Sequence, residues 1–143
     1  MELKNNDNSK IFSKKAPEPV GAYVHARRSG HLLFLSGVGP RKLGSKTIPG
    51  VELDENNNII SYDIEKQTHS VIENVKTILE ESGSSFDKII DVQVFLTNMK
   101  NDFKKFNEIY RQYFKDYLPC RTTVEVNALP TPIAVEFKVI AEI

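Results

Sequence analysis

An α+β fold of two layers, a mixed β-sheet with two helices packed on one face, is predicted by three features of the sequence. Residues 63–82 space Ile64, Thr68, Val71, Ile72, Val75, Ile78 and Leu79 three and four apart, the stripe of an amphipathic helix. A second stretch, 102–117, carries an aromatic stripe of Phe103, Phe106, Tyr110, Tyr113, Phe114 and Tyr117. Around both lie runs in which apolar and polar residues alternate, the period of a strand with one buried face. The order is β-β-α-β-α-β-β, and 143 residues suit a single domain over 1–143.

Residues 1–8 are rich in Asn, Lys and Asp and are expected to form a flexible N-terminal tail. Residues 23–28 and 31–36, separated by Ser29-Gly30, read as a β-hairpin. The unbroken run Leu32-Leu33-Phe34-Leu35 suits a strand covered on both faces. The polar stretch 37–58 is long for a loop in a compact domain. It is either functional or holds short strands, for which 51–53 and 58–61 are the candidates. Asp63 is placed to cap the first helix and Gly83 to stop it. The run 88–97 sets Ile90, Val92, Val94 and Leu96 against Asp91, Gln93 and Thr97. For the aromatic stripe, core packing against the sheet is the ordinary reading and ligand stacking the alternative. The last two strands, 121–127 and 133–143, turn Val124 and Val126, then Ile133, Val135, Phe137, Val139, Ala141 and Ile143, to one side. Their short, proline-stiffened connection at 128–132 predicts an antiparallel final pair.

Composition excludes several classes. The 19 Lys and Arg balance 19 Asp and Glu, so the chain lacks the basic excess of a protein that binds nucleic acid by neutralising phosphates. A local basic cluster at Lys14, Lys15, Arg27 and Arg28 is the one feature of that kind. Cys120 is the only cysteine, so no intrachain disulfide forms. No apolar run approaches the ~20 residues that span a bilayer, and residues 1–10 lack the apolar core of a secretory signal. The expectation is a cytoplasmic protein with no membrane or nucleic-acid partner. His25, His31 and His69 show no metal-ligand spacing, so no metal is expected.

The strand alternation also describes a second face. If the odd-numbered residues of 133–143 face the helices, Glu136, Lys138, Ile140 and Glu142 face away. By the same count Arg121, Thr123 and Glu125 share that face with Glu136. A solvated face with cross-strand ion pairs, worth ~0.2–1 kcal/mol each, is the ordinary reading. The apolar residues Ile140, Leu33, Leu35 and Ile89 favour a half-apolar face covered by another subunit. In a cleft between chains an arginine becomes a strong carboxylate ligand.

Several segments together resemble the Rid (YjgF, reactive intermediate deaminase) family. They are Phe34-Leu35-Ser36-Gly37, Gln67-Thr68 with Val71-Ile72-Glu73-Asn74, Val94-Phe95-Leu96-Thr97-Asn98-Met99 and Phe106-Asn107-Glu108-Ile109-Tyr110. The closing runs Pro119-Cys120-Arg121-Thr122-Thr123-Val124-Glu125-Val126, Leu129-Pro130 and Val135-Glu136-Phe137-Lys138-Val139-Ile140-Ala141 extend the match to about residues 16–143. The resemblance implies a chorismate-mutase-like fold assembled as a homotrimer, with a central barrel of three sheets and sites in the clefts between subunits. It implies a hydrolytic deaminase acting on small carboxylated enamines or imines without a cofactor. Arg121 matches the family's carboxylate-binding arginine, Glu136 its glutamate beside the attacking water, and Tyr23 its tyrosine near the N-terminus. Ser36 and Gly37 match a strand end whose backbone helps hold the ligand.

Three departures narrow the resemblance. The family's usual Gly-Pro-Tyr-Ser start appears as Gly21-Ala22-Tyr23-Val24, and Thr123 stands where a smaller residue is common. The stretch after Gly37 is also longer than usual, and with Tyr23-Val24-His25 it resembles the 2-aminomuconate deaminase branch. A dicarboxylate needs a second anion subsite, for which Arg41, His25 and Arg27 are the candidates, each of them equally readable as a surface residue. The alternatives are a generalist deaminase of 2-iminobutanoate and 2-iminopropanoate, and a non-enzymatic carboxylate-binding trimer or chaperone. A ribonuclease ranks last because the chain is neutral and lacks a histidine pair. Cys120 reads as a semi-buried small residue, not a nucleophile.

Overall fold

The computed structural model describes residues 7–45 and 47–143, so residues 1–6 of the expected tail lie outside the described residues. Asp7 and Asn8 enter a turn in which the Asp7 carboxylate accepts from the Ser9 N–H at 3.0 Å. The turn leads into a short strand, β1 (Lys10–Ile11). The predicted hairpin follows as β2 (Ala26–Ser29) and β3 (Leu32–Leu35), with Ser29 opposite Leu32. Gly30 makes the reversal at φ +58°, a conformation that strains any residue with a Cβ.

Inside the 37–58 stretch, β4 (Val51–Leu53) pairs with β5 (Ile59–Tyr62) in a separate two-stranded sheet, close to the predicted strands. Asp63 caps α1 (Ile64–Glu81) as expected, accepting from the N–H groups of Glu65 and Lys66. The predicted stripe of α1 is buried together with Gln67, whose Oε1 accepts the Ala134 N–H at 2.8 Å. Then come β6 (Ile89–Leu96), α2 (Met99–Phe114), β7 (Cys120–Glu125) and β8 (Val135–Glu142). Helix α2 begins before the predicted residue 102, because the Asn98 side chain caps it through the Asn101 N–H. It ends before 117, and the chain turns at Leu118 in the left-handed region, φ +50°.

The main sheet runs β1-β2-β3-β8-β6-β7, with β6 and β7 parallel and every other neighbouring pair antiparallel. Both helices pack on one face of it, α1 against β8 and α2 against β6. Between the layers, Phe106 and Phe137 are fully buried and meet edge-to-face at 6.1 Å. Burying each ring contributes about 1.5–3 kcal/mol.

The C-terminal strands correct the sequence reading in two ways. They are not an antiparallel pair: β7 lies beside β6 and β8 is inserted between β3 and β6. Helix α2 is a crossover that returns the chain to the starting end of β6, and such a connection makes the next strand parallel. The parity of β7 is also inverted. Arg121 and Thr123 stand in register with the buried Val92 and Val94, so they face the helices, whereas Val124 pairs with Phe95 on the open face and is 40% exposed. Edge-strand residues lie under the flank of α2, where a long polar side chain finds both apolar and polar neighbours.

A bulge between Ile89 and Asp91 makes a third correction, since it sends Ile89 into the core and leaves Ile90 exposed. Leu33 and Leu35 are core residues as well. The second face is half-apolar as expected, but its apolar residues are Phe34, Phe95, Val124 and Ile140.

Candidate functional site

Arg121 leaves the edge strand on the helix side and lies across α2. Its Nη1 donates to Asn107 Oδ1 at 2.8 Å, and its guanidinium carbon stands 4.6 Å from the centre of the Tyr110 ring. The rings of Phe103 and Phe106 flank it at 5.9 and 6.0 Å. Helical spacing brings these residues together, since 103, 106–107 and 110 fall on one flank of α2. The aromatic stripe therefore serves as core through Phe106 and Phe114, and its edge is a platform for a cation. No carboxylate pairs with Arg121: among the described residues the ion pair present is Lys10–Asp7, at 3.6 Å. The guanidinium is thus held flat with N–H groups to spare, the geometry that grips a carboxylate with two parallel hydrogen bonds. Beneath it the Tyr110 hydroxyl is buried without a partner, and burial pushes its pKa up to about 12.

Glu136 belongs to the other face. It stands in register with Phe95 on the open side of the sheet, and its carboxylate rests on the backbone at Gly37. A Cβ at position 37 would stand 2.8 Å from Glu136 Oε2, so any larger residue would push the carboxylate off this seat. The Glu136 side chain is half-buried, and among the described residues no hydrogen bond or ion pair reaches its carboxylate. Burial pushes that carboxyl above the usual glutamate range, and no cation among the described residues offsets it. A carboxylate poised in this way is suited to take a proton from water.

The residues around Glu136 are fixed by backbone contacts. The Ser36 N–H donates to the His25 carbonyl at 3.0 Å and its Oγ donates to the Val24 carbonyl at 2.6 Å, leaving the hydroxyl lone pairs for a guest. Tyr23 is 44% exposed, its hydroxyl accepts from the Val20 N–H at 3.2 Å, and its ring separates two hollows that meet at Ser36. One hollow, of about 40 Å³, is lined by His25, Gly37 and Arg41. The other is wider and is lined by Arg27, Phe34 and Lys138.

Tyr23, Ser36, Gly37 and Glu136 are therefore brought together, and Arg121 is not. Within one chain Arg121 and Glu136 occupy opposite faces of the sheet, which corrects the expectation of a shared face. His25 also differs from its expected use. Its Nδ1 accepts the Ser13 N–H at 2.9 Å and its Nε2 donates to the Pro17 carbonyl at 2.7 Å, so both nitrogens fasten the entering chain and neither is left for an anion. Arg41 borders the smaller hollow, with Nη2 donating to the Glu18 carbonyl at 2.8 Å. Cys120 is exposed, not semi-buried.

Three residues of these half-sites went unnamed as site residues in the sequence. Lys138 shares the parity of Glu136, so strand alternation alone could have found it. Asn107 and Tyr110 carry no such signal until the flank of α2 that meets β7 is known. Among the described residues no group of His, Cys, Asp or Glu is placed to hold a metal ion.

Comparison with known proteins gives consistent matches along nearly the whole chain. The sequence model of the family described as Endoribonuclease L-PSP matches residues 13–143. A RutC family protein of Pyrococcus abyssi is 40% identical over 132 residues, which are 92% of this chain and 94% of that protein. The chloroplastic Reactive Intermediate Deaminase A of Arabidopsis thaliana is 36% identical over 131 residues, 92% of this chain and 64% of that one. Among solved structures, a Yersinia pestis protein described as one of unknown function in the conserved Rid protein family superposes with a TM-score of 0.81. It is 38% identical, with 94% of this chain and 98% of that chain covered.

Proposed function

The chain belongs to the Rid family, which includes reactive intermediate deaminases, and on that premise we propose that it is a hydrolase releasing ammonia from small enamine or imine carboxylates. The observation that carries this reading is Glu136, a half-buried carboxylate held against Gly37 with no partner among the described residues and raised toward protonation. Binding a carboxylate needs a cation; adding water to a C=N bond needs a base as well.

The active unit is a homotrimer with its sites between neighbouring copies. Two features support it: the half-apolar open face of Phe34, Phe95, Val124 and Ile140, and the separation of Arg121 from Glu136 by the thickness of one sheet. Arg121 at the edge of one copy meets Tyr23, Ser36, Gly37 and Glu136 of the next. Arg121 clamps the substrate carboxylate and fixes the reactive carbon above Glu136. Protonation at carbon turns the enamine into the electrophilic imine. Glu136 takes a proton from water as the oxygen bonds to the imine carbon and the nitrogen gains a proton. Protonated Glu136 then returns its proton to the carbinolamine nitrogen, the hydroxyl gives up its proton as the C=O bond forms, the C–N bond breaks, ammonia leaves and a 2-oxo acid remains.

The finer reading is the 2-aminomuconate branch, supported by the long 37–58 stretch. An ammonia-release assay across imino acids and 2-aminomuconate tests both levels. The expected result is turnover of 2-iminobutanoate with faster turnover of 2-aminomuconate; equal or reversed rates would reject the branch. Carboxylate binding with no ammonia from any substrate would replace the enzyme with a binding module.

A further inference from the structure

A substrate with a carboxylate at each end needs a second cation beyond the one that grips its reacting end. Arg41 is poorly placed for this. Its Nη2 is engaged by the Glu18 carbonyl, the hollow it shares with Ser36 and Gly37, about 40 Å³, has room for a few water molecules only, and its other, larger hollow reaches neither of those residues. His25 is closed off by its two backbone hydrogen bonds.

The wider hollow on the open face differs in size and in what lines it. It measures about 380 Å³, the size range of small-ligand sites, and reaches Ser36 and Tyr23 from the side away from Arg41. Lys138 lies on this face two residues from Glu136, and its Nζ donates to the carbonyl of Leu35, the residue before Ser36. An ammonium carries three donors, so two remain for a ligand. No carboxylate pairs with Lys138 among the described residues, and in particular no ion pair joins it to Glu136. A free cation and a free carboxylate therefore flank the Ser36–Gly37 peptide without neutralising each other. Arg27 is on the same face, because it pairs with Phe34 and Phe34 pairs with Ile140. It also lines the hollow, with Nη2 donating to Ser9 Oγ at 3.4 Å, and adds a second positive charge.

We propose that Lys138, with Arg27 beside it, forms the subsite for the distal carboxylate of a dicarboxylic substrate and so sets this chain's preference for two-ended anions. The proposal rests on the reading of Glu136 and Ser36–Gly37 as the reacting end of the site.

The test uses two unreactive six-carbon probes that differ only in the second carboxylate, adipate and hexanoate. Binding of each to the full chain is measured by calorimetry, with Lys138→Met, Lys138→Gln and Lys138→Arg alongside. The unmutated protein is expected to bind adipate more tightly than hexanoate. Both neutral variants should lose about ten-fold or more in adipate affinity, as for a lost charge-assisted hydrogen bond, with hexanoate affinity little changed. Lys138→Arg should keep the adipate preference. The proposal is overturned if adipate binds no better than hexanoate to the unmutated protein. It is equally overturned if the preference survives in the neutral variants, or if both probes weaken alike. Ammonia release is scored separately on the unmutated protein. Its absence alongside an intact, Lys138-dependent adipate preference would end the deaminase reading and leave the subsite standing.

Discussion

Glu136 is the base of the proposed reaction, and its raised carboxyl also ties stability to pH. Its carboxyl is raised on folding by burial, so the native state holds the proton more tightly than the unfolded chain does. Stability from this group is therefore greatest below the ordinary glutamate range and falls as pH rises through the raised value. Glu136→Gln cannot ionise and escapes that loss. Urea denaturation at fixed protein concentration should find it more stable than the parent above the window, the two converging in acid. The same substitution should lower kcat by about 10²–10⁴-fold, the usual weight of a general base. In the parent, the acid limb of kcat/KM should lie above the ordinary glutamate value, and a limb at or below that value would remove Glu136 from the role. Gly37→Ala probes placement instead of charge. Its Cβ would displace the Glu136 carboxylate from its seat, and a shift of that order should cost about 10²-fold in kcat with circular dichroism unchanged. Neither Glu136 nor Arg121 was distinguishable in the sequence from an ordinary charged strand residue until the surrounding motifs were matched. The raised carboxyl depends on the approach of Gly37 from a distant part of the chain, which no local pattern reports.

Helix α2 both covers the core and aims Arg121. Removing its platform with Tyr110→Leu or its anchor with Asn107→Ala should raise KM for carboxylate substrates more than it lowers kcat, because the guanidinium would stay charged but lose its orientation. A second device ties the β4–β5 hairpin to this helix. The Tyr62 hydroxyl donates to Asp102 Oδ2 at 2.5 Å in the first turn of α2, and burial raises the pKa of both groups. Tyr62→Phe leaves a buried carboxyl short of its donor and should destabilise the fold by about 1–3 kcal/mol, measurable by thermal or urea unfolding. The helices were legible in the sequence from spacing and caps, down to Asp63 at the start of α1. The order of the last strands was not. The short 128–132 connection suggested a hairpin, but the strand–helix–strand unit of β6, α2 and β7 decided the pairing. Once β7 became an edge strand under α2, its apolar Val124 no longer marked the core side.

The proposed assembly joins two separated groups. A single chain holds Arg121 on the helix face and Glu136 on the open face, each without a partner of opposite charge among the described residues. In the proposed trimer, rotation would give every Arg121 one neighbouring Glu136, and closed symmetry would make the three sites equivalent. Composition and alternation indicated a covered second face. They carry no information on whether cation and acid act from one copy or two, because parity counts residues along a strand and says nothing of the neighbour across an interface. Mixing two inactive variants, Arg121→Ala and Glu136→Gln, tests this most directly. Co-refolded in equal amounts, they should recover about a quarter of the parent's ammonia-release activity, the share of clefts that draw an intact arginine from one copy and an intact glutamate from the next. Activity that stays at the level of the separate variants, from a mixture shown by mass to have exchanged subunits, would contradict a site shared between copies.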